Sequence, residues 1–255
     1  MSWMEPYLIR RSLRIVKLLR ACADIRFTEI LTAVFKKNER KKLLDIYHEL
    51  GIKEAGKYFV IDPNSEEFPF LEAFIFKLYQ FCDFNGKVVI DIGAQTGDSV
   101  LYFSLRGAKI IYAFEPLKDN FRTLERNVIQ NKINCKCFNI GLGNTTKNIT
   151  VSVSSNMAIA TSTIENLYHE SIIMNELDNL NLNADIIKID VEGFEVEVLR
   201  GGLSTINNAK NILIETHSKS LQVEVAKLLS KMGFHLSKII TYYNSKNVRI
   251  EYWLK

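Results

Sequence analysis

VVIDIGAQTGDSVLYFSLRGAKIIYAFEP, residues 88–116, runs from an apolar segment through a glycine loop and a helical stretch to a second apolar segment and an acid. Such a stretch is either the first half of a nucleotide-binding site or a βαβ unit that packs a sheet and binds nothing. Its neighbours decide the fold. Strand-like runs recur at 87–92, 109–115, 135–141, 184–190 and 211–217. A helix is expected from Asp98 to about Arg106, ended by Gly107, and a second brings Phe121, Leu124, Val128 and Ile129 to one face. A third begins near Gly193, and a fourth carries Leu221, Val225, Leu228 and Leu229. Apolar strands alternating with helices indicate a parallel sheet covered on both faces. HLSKIITYY and VRIEYWL, flanking NSKN, then read as a closing β-hairpin. The Ser/Thr/Asn-rich interval 143–175 reads as a short strand, ITVSVS, and a long loop.

Upstream, residues 6–50 read as helix. Leu8, Ile9, Ile15, Val16 and Leu19 fall on one side, and Arg10, Arg14 and Lys17 on another. Such a helix either makes peripheral contact with an anionic membrane or docks with its basic face in water. Docking is what most amphipathic helices do, and it is the preferred reading. The run KKNERKK (36–42) reads as a solvated turn, and Gly51 and Gly56 break the pattern. A loop at 61–69 and a helix over about 70–82 lead to the turn signal Asn85-Gly86. The expected organisation is an N-terminal helical extension over 1–83 and a ligand-binding α/β domain over 84–255.

Composition bounds the function. Hydrophobic content of 47% and charged content of 24% are ordinary for a soluble globular protein. No apolar run reaches the roughly 18–20 residues of a membrane span, and arginines interrupt the apolar start in a way no signal peptide tolerates. The net charge of +4 is uneven: residues 1–60 hold 13 Lys and Arg against 7 Asp and Glu, the remainder 20 against 22. A near-neutral body argues against a specific nucleic-acid surface. Cys22, Cys82, Cys135 and Cys137 are too few and too irregular for a disulfide framework, and a reducing cytoplasm fits best. Cys135 and Cys137 read as small buried residues rather than metal ligands.

The glycine loop narrows the ligand. A dinucleotide fold wants G-x-G-x-x-G, whereas this loop is D-x-G-x-x-x-G, from Asp91 through Gly93, Ala94, Gln95 and Thr96 to Gly97. Asp91 and Asp98 bracket it, which repels a diphosphate and suits a cation. The two glycines leave backbone room for a ligand. Glu115, 24 residues after Asp91, is placed to accept from ribose hydroxyls. A ribose, no phosphate and a positive charge describe S-adenosyl-L-methionine rather than NAD.

The same residues, with NELDNL, ADIIKIDVEGFEVEVLRG and ILIETH, resemble the FkbM-type methyltransferases over about residues 86–217. The resemblance implies a Rossmann-like seven-stranded sheet, S-adenosyl-L-methionine as cofactor, and transfer to an oxygen of a sugar, polyketide or related metabolite. It carries over Asp91, Gly93, Gly97, Glu115, Pro116, Asn120, Asp178, Asp190, Glu192 and Gly193. The candidate cofactor set is Asp91, Gly93–Asp98, Glu115, Pro116, Asn139, Ile140 and Asp190. For the chemistry, His217 is the first choice of base because imidazole titrates near neutrality. Asp190 and Glu192 are further candidates. Asp190 holds the methionyl amine or orients the acceptor, while Glu192 serves as base or supports the start of its helix. Two carboxylates alone are a weak metal signal, so no metal site is expected. The partner expected is a small-molecule or glycan acceptor. Catalytically inactive methyltransferase-like binding and NAD-dependent oxidation are the rival readings.

Overall fold

The computed structural model describes residues 78–154, 157–159, 168–241 and 247–255, with shorter pieces between 52 and 74. The helix expected over 6–50 lies outside them. Of the helix expected over about 70–82, Ala73 and Phe74 are helical and 78–81 are turn, while 70–72 and 75–77 lie outside the described residues. The chain packs as two units, Met1–Leu78 and Tyr79–Lys255. In the first, β1 (Ile52–Glu54) and β2 (Lys57–Phe59) form an antiparallel pair where the glycines had read only as breaks. No helix among the described residues is long and apolar enough to cross a membrane.

The second unit opens with β3 (Val88–Ile92), α1 (Asp98–Leu105), β4 (Ile110–Phe114), α2 (Lys118–Gln130) and β5 (Cys135–Phe138). Next come β6 (Gly141–Leu142), β7 (Lys147–Ser154), β8 (Met157–Ile159), β9 (Tyr168–Asn175) and β10 (Ile186–Ile189). The chain continues through α3 (Glu195–Gly201), α4 (Leu203–Asn208), β11 (Asn211–Thr216), α5 (Lys219–Lys231), β12 (His235–Thr241) and β13 (Arg249–Leu254). Seven strands form one sheet in the order β12-β13-β11-β10-β3-β4-β5. Those from β5 to β11 are parallel, and β13 runs antiparallel between β11 and β12. This is the Rossmann-like sheet and hairpin expected from the sequence. The second arm of the hairpin, rather than the first, meets β11.

Alternation along β3 explains the layers. Ile90 and Ile92 join one apolar cluster with Val196 and Leu199 of α3, Ile206 of α4, and Val225 and Leu229 of α5. Asp91 points to the opposite face, where Ser99 of α1 donates to it, so α1 covers that side. Seven of the eight α1 residues are buried, as a helix apolar on nearly all sides requires. Its Tyr102 and Phe103 meet Tyr79 and Phe84 in an aromatic cluster.

The chain steps outward from β3 to β5, then crosses back to β10 on the other side of β3. Open parallel sheets bind ligands at such a reversal, beyond the carboxyl ends of the strands. The crossover is itself folded, which corrects the long loop expected over 143–175. β6, β9, β7 and β8 form a second sheet in that order, with Leu117, Val153, Ile172 and Met174 at its core. Its strand YHESIIMN escaped notice because Ile173, 55% exposed, points outward between inward-facing Ile172 and Met174 and so hides the alternation.

Two smaller corrections concern α2 and β5. Ile129 is 73% exposed and belongs to no buried face. The buried stripe of α2 is Asn120, Thr123, Leu124, Asn127 and Val128. Its polar members are engaged: the Asn127 amide donates to Thr96 O at 2.7 Å, and the Thr123 hydroxyl to Asp119 O at 3.1 Å. β5 ends at Phe138, which leaves Asn139 and Ile140 in the link between β5 and β6.

Candidate active site

The loop between β3 and α1 is tied to the end of β4. The N–H groups of Gly93 and Ala94 both donate to Phe114 O at 3.0 Å. Gln95, at φ 45°, donates its N–H to Glu115 Oε2 at 2.9 Å. A Cβ added to Gly93 (φ +80°) would lie 1.7 Å from the carbonyl oxygen of Asp190. One added to Gly97 (φ +96°) would lie 2.9 Å from Leu124 Cδ1. The glycines were expected to make room for a ligand. The nearer physical reason is that this backbone lies against the end of β10 and against α2.

Beneath the loop, Lys188 of β10 stands in register with Asp91 of β3. Asp91 is fully buried and Lys188 is 4% exposed. Lys188 Nζ lies 3.2 Å from Asp91 Oδ1 and 3.6 Å from Asp190 Oδ2, and it donates to Gly93 O at 2.9 Å. Burial works against the ammonium charge, but Asp91, Asp190 and Asp98 outweigh it and raise the Lys188 pKa above the ordinary value. Asp91 therefore spends its charge inside the protein, on Lys188, instead of presenting it beside the loop. Sequence reading missed Lys188. The signal was a single lysine in a strand, ADIIKID, otherwise read as buried on both faces.

Two acids remain for a ligand. Asp98, at the first position of α1, is 5% exposed, and burial pushes its carboxyl up to about 7 against the pull of Lys188. Glu115, just after β4, is also 5% exposed and raised by burial to about 7, opposed by the N–H groups of Leu117 and Gln95. Leu117 N–H donates to its Oε1 at 3.0 Å. Asn120 approaches the same oxygen at 3.5 Å. Asn139 donates through its amide to Glu115 O and Pro116 O, both at 2.9 Å, and Ile140 is partly buried against the core. Asp178, carried over from the resemblance, caps α4: its two oxygens accept from Ser204 N–H at 2.9 Å and Thr205 N–H at 2.8 Å.

The catalytic candidates meet beyond β10 and β11. After Asp190 the chain turns through Glu192 (φ 50°) and Gly193 (φ 107°), a left-handed pair that aims the Glu192 side chain back along the strand ends. His217 follows β11. Its Nε2 lies 3.3 Å from Glu192 Oε2, 3.5 Å from Glu215 Oε1 and 3.9 Å from Asp190 Oδ1. On the other side of the ring, Nδ1 is 2.6 Å from Oε1 of Glu195, which is fully buried and also accepts Gly193 N–H at 3.0 Å. Asp190, Glu192 and His217 are thus brought together, with Lys188 linking Asp190 to the loop. Glu195 was missed because an acid in the first helical turn ordinarily needs no further explanation. His217 does not keep its ordinary titration. Burial disfavours its charge, but Glu195, Asp190, Glu192 and Glu215 prevail and raise it to about 10. Burial likewise raises Glu192 to about 7, with His217 opposing. In this surrounding, with no cation among the carboxylates, His217 holds its proton at neutral pH, which removes the reason for choosing it as a free base.

A parallel sheet with its reversal at the β3 loop, an acid anchored after β4 and a buried carboxyl at Asp98 suit a ribose-bearing cation. The class is that of S-adenosylmethionine-dependent methyltransferase domains. Residues 91–236, more than half of the chain, match the model of the methyltransferase FkbM domain, and the chain belongs to that family. It is 26% identical over 159 residues to the hexuronic acid methyltransferase AglP of Haloferax volcanii. That match spans 60% of this chain and 66% of AglP, just under two thirds. Among solved structures, the fold is similar to ribosomal protein L11 methylase from Lactobacillus delbrueckii subsp. bulgaricus. The TM-score is 0.52 at 10% identity, over 79% of this chain and 87% of that one.

Proposed function

We propose that the protein transfers a methyl group from S-adenosyl-L-methionine to a hydroxyl oxygen of a sugar, glycolipid or small metabolite. The observation that carries this reading is the convergence of Asp190, Glu192 and His217 beside the glycine loop. Similarity to a hexuronic acid methyltransferase supports a carbohydrate acceptor, and the near-neutral body of the chain supports a partner other than nucleic acid. The cofactor supplies a methyl group already activated by its sulfonium. Gly93 to Asp98, Glu115, Pro116, Asn139 and Ile140 line its place, with Asp98 facing positive charge and Glu115 accepting from hydroxyls. The chain then has to align the acceptor, an effect that accounts for roughly 7–11 kcal/mol of such a barrier. Asp190 and Glu192, with side chains 29% and 38% exposed, are the carboxylates open to an acceptor hydroxyl and its proton. His217, 18% exposed and gripped by Glu195, orients them.

The experiment uses methyl-labelled cofactor, the purified chain, and pooled uronic acids, neutral sugars, glycolipids and hydroxylated metabolites. Label in an alkali-stable methyl ether is the expected result. Label in an alkali-labile ester places transfer on a carboxylate, and label on nitrogen overturns the oxygen acceptor.

A further inference from the structure

We propose that Asp190, Glu192 and His217 form a binding site for one divalent cation of the magnesium and manganese class, placed to receive an oxygen of the methyl acceptor. Each residue offers one ligand atom, and the three atoms lie within 4.8 Å of one another. Two ligands of one ion with bonds of about 2.1 Å stand about 3.0 Å apart when adjacent and about 4.2 Å apart when opposite. The separations of His217 Nε2 from Glu192 Oε2 and Asp190 Oδ1, 3.3 and 3.9 Å, fall inside that span.

A plain ion-pair cluster predicts something else. An imidazolium N–H settles on one carboxylate oxygen at about 2.7–2.9 Å. His217 Nε2 stands off from Glu192, Glu215 and Asp190 and makes no hydrogen bond among the described residues. The far side of the ring is built as ligand histidines are. Nδ1 is fixed by a carboxylate, Glu195, which keeps a proton on that nitrogen and leaves Nε2, toward Asp190 and Glu192, as the nitrogen that gives up its proton when a cation binds. Glu195 is itself fully buried, and its Oε2 has no partner among the described residues. An unsatisfied carboxylate oxygen behind the imidazole is costly unless positive charge, on the ring or on an ion bound to it, offsets it. Asp190 and Glu192 are partly exposed, which leaves open positions for water and an acceptor oxygen. Two carboxylate oxygens and one imidazole nitrogen suit Mn²⁺, which accepts both donor types.

The role of the ion rests on the methyl-transfer reading; its binding does not. In that role it orients the acceptor and offsets charge as the hydroxyl proton passes by way of the partly exposed carboxylates to solvent. The oxygen–methyl bond forms and the sulfur–methyl bond breaks, its electron pair staying on sulfur.

The test uses the full chain, stripped of metal by chelator and titrated with Mn²⁺ without cofactor, bound ion being read by electron paramagnetic resonance. One Mn²⁺ per chain, displaced by excess Mg²⁺, is expected. Glu192→Gln and His217→Gln should each weaken binding at least tenfold, with thermal melts showing that both fold. Absence of stoichiometric binding, or unchanged affinity in both variants, overturns the site. Transfer of labelled methyl that continues undiminished in chelator, with no Mn²⁺ bound, overturns the ion's role in receiving the acceptor and leaves the methyl-transfer reading intact. Mn²⁺ binding by a chain that binds no S-adenosylmethionine leaves the site intact and overturns that reading.

Discussion

Lys188 and Asp91 form a buried pair whose halves depend on each other. Removing one partner leaves an uncompensated charge, which costs about 3–5 kcal/mol in comparable settings. Lys188→Met should lose stability of that order in urea unfolding, and adding Asp91→Asn should recover much of it. Losses that simply add would mean the two charges are not coupled. Asp98 and Glu115 behave differently, because both are raised to about 7 by burial. In the cofactor-free chain each binds a proton more readily folded than unfolded. The stability they contribute is complete below the ordinary carboxylate range near about 4 and is lost as pH rises through about 7. A cationic ligand reverses the preference and favours the ionised acids. S-adenosylmethionine binding should therefore tighten from about pH 6 to about pH 8 and release protons, measurable by calorimetry in buffers of different ionisation heat. A flat affinity over that range would remove both acids from the ligand's surroundings. Glu115 needs a careful substitution, since its oxygens also hold the N–H groups of Gln95 and Leu117. Alanine would orphan two donors at about 1–3 kcal/mol each, so Glu115→Gln is the cleaner probe of cofactor affinity.

At the scale of elements, the β3 loop separates the demands of packing from those of binding. Gly93→Ala places a methyl group against the backbone of Asp190, which cannot move without parting β3 from β10. Gly97→Ala meets only the end of the Leu124 side chain, which can rotate. Both substitutions pay for a left-handed backbone at about 1–3 kcal/mol, so the melting temperature should fall much further for Gly93→Ala. Equal losses would show that the clash with Asp190 is not what fixes that glycine. The strands of the main sheet were legible because doubly covered strands are runs of apolar residues, as in VVIDI and NILIET. β9 was not, since one outward isoleucine disguised its period. Nor was the face of α2, whose buried stripe is half polar because it holds the glycine loop through Asn127. In the site, the residues at strand ends could be read from the motif. Lys188 and Glu195 could not, because their meaning depends on partners 97 and 22 residues away in Asp91 and His217.

For the whole molecule, linkage offers the simplest check. S-adenosylmethionine at ~100 times its dissociation constant should stabilise the fold by about 2.7 kcal/mol, seen as a higher melting temperature. NAD should leave the melt where it was, and the opposite pattern would contradict the cofactor. A last consequence lies in the threading of β13, which sits between β11 and β12 yet follows both in the chain. Until residues 249–254 have emerged from the ribosome, the outer edge of β11 has no neighbour and β12 has nothing to join. The nascent protein thus carries an open strand of Ile212, Leu213 and Ile214, a ready template for another chain. β12 and β13 should gain protection from hydrogen exchange together during refolding. Earlier protection of β12 would mean another way of closing the sheet. Translation arrested just before Arg249 leaves two strands stranded, not one, and gives quality-control machinery an aggregation-prone edge to recognise until the closing strand arrives.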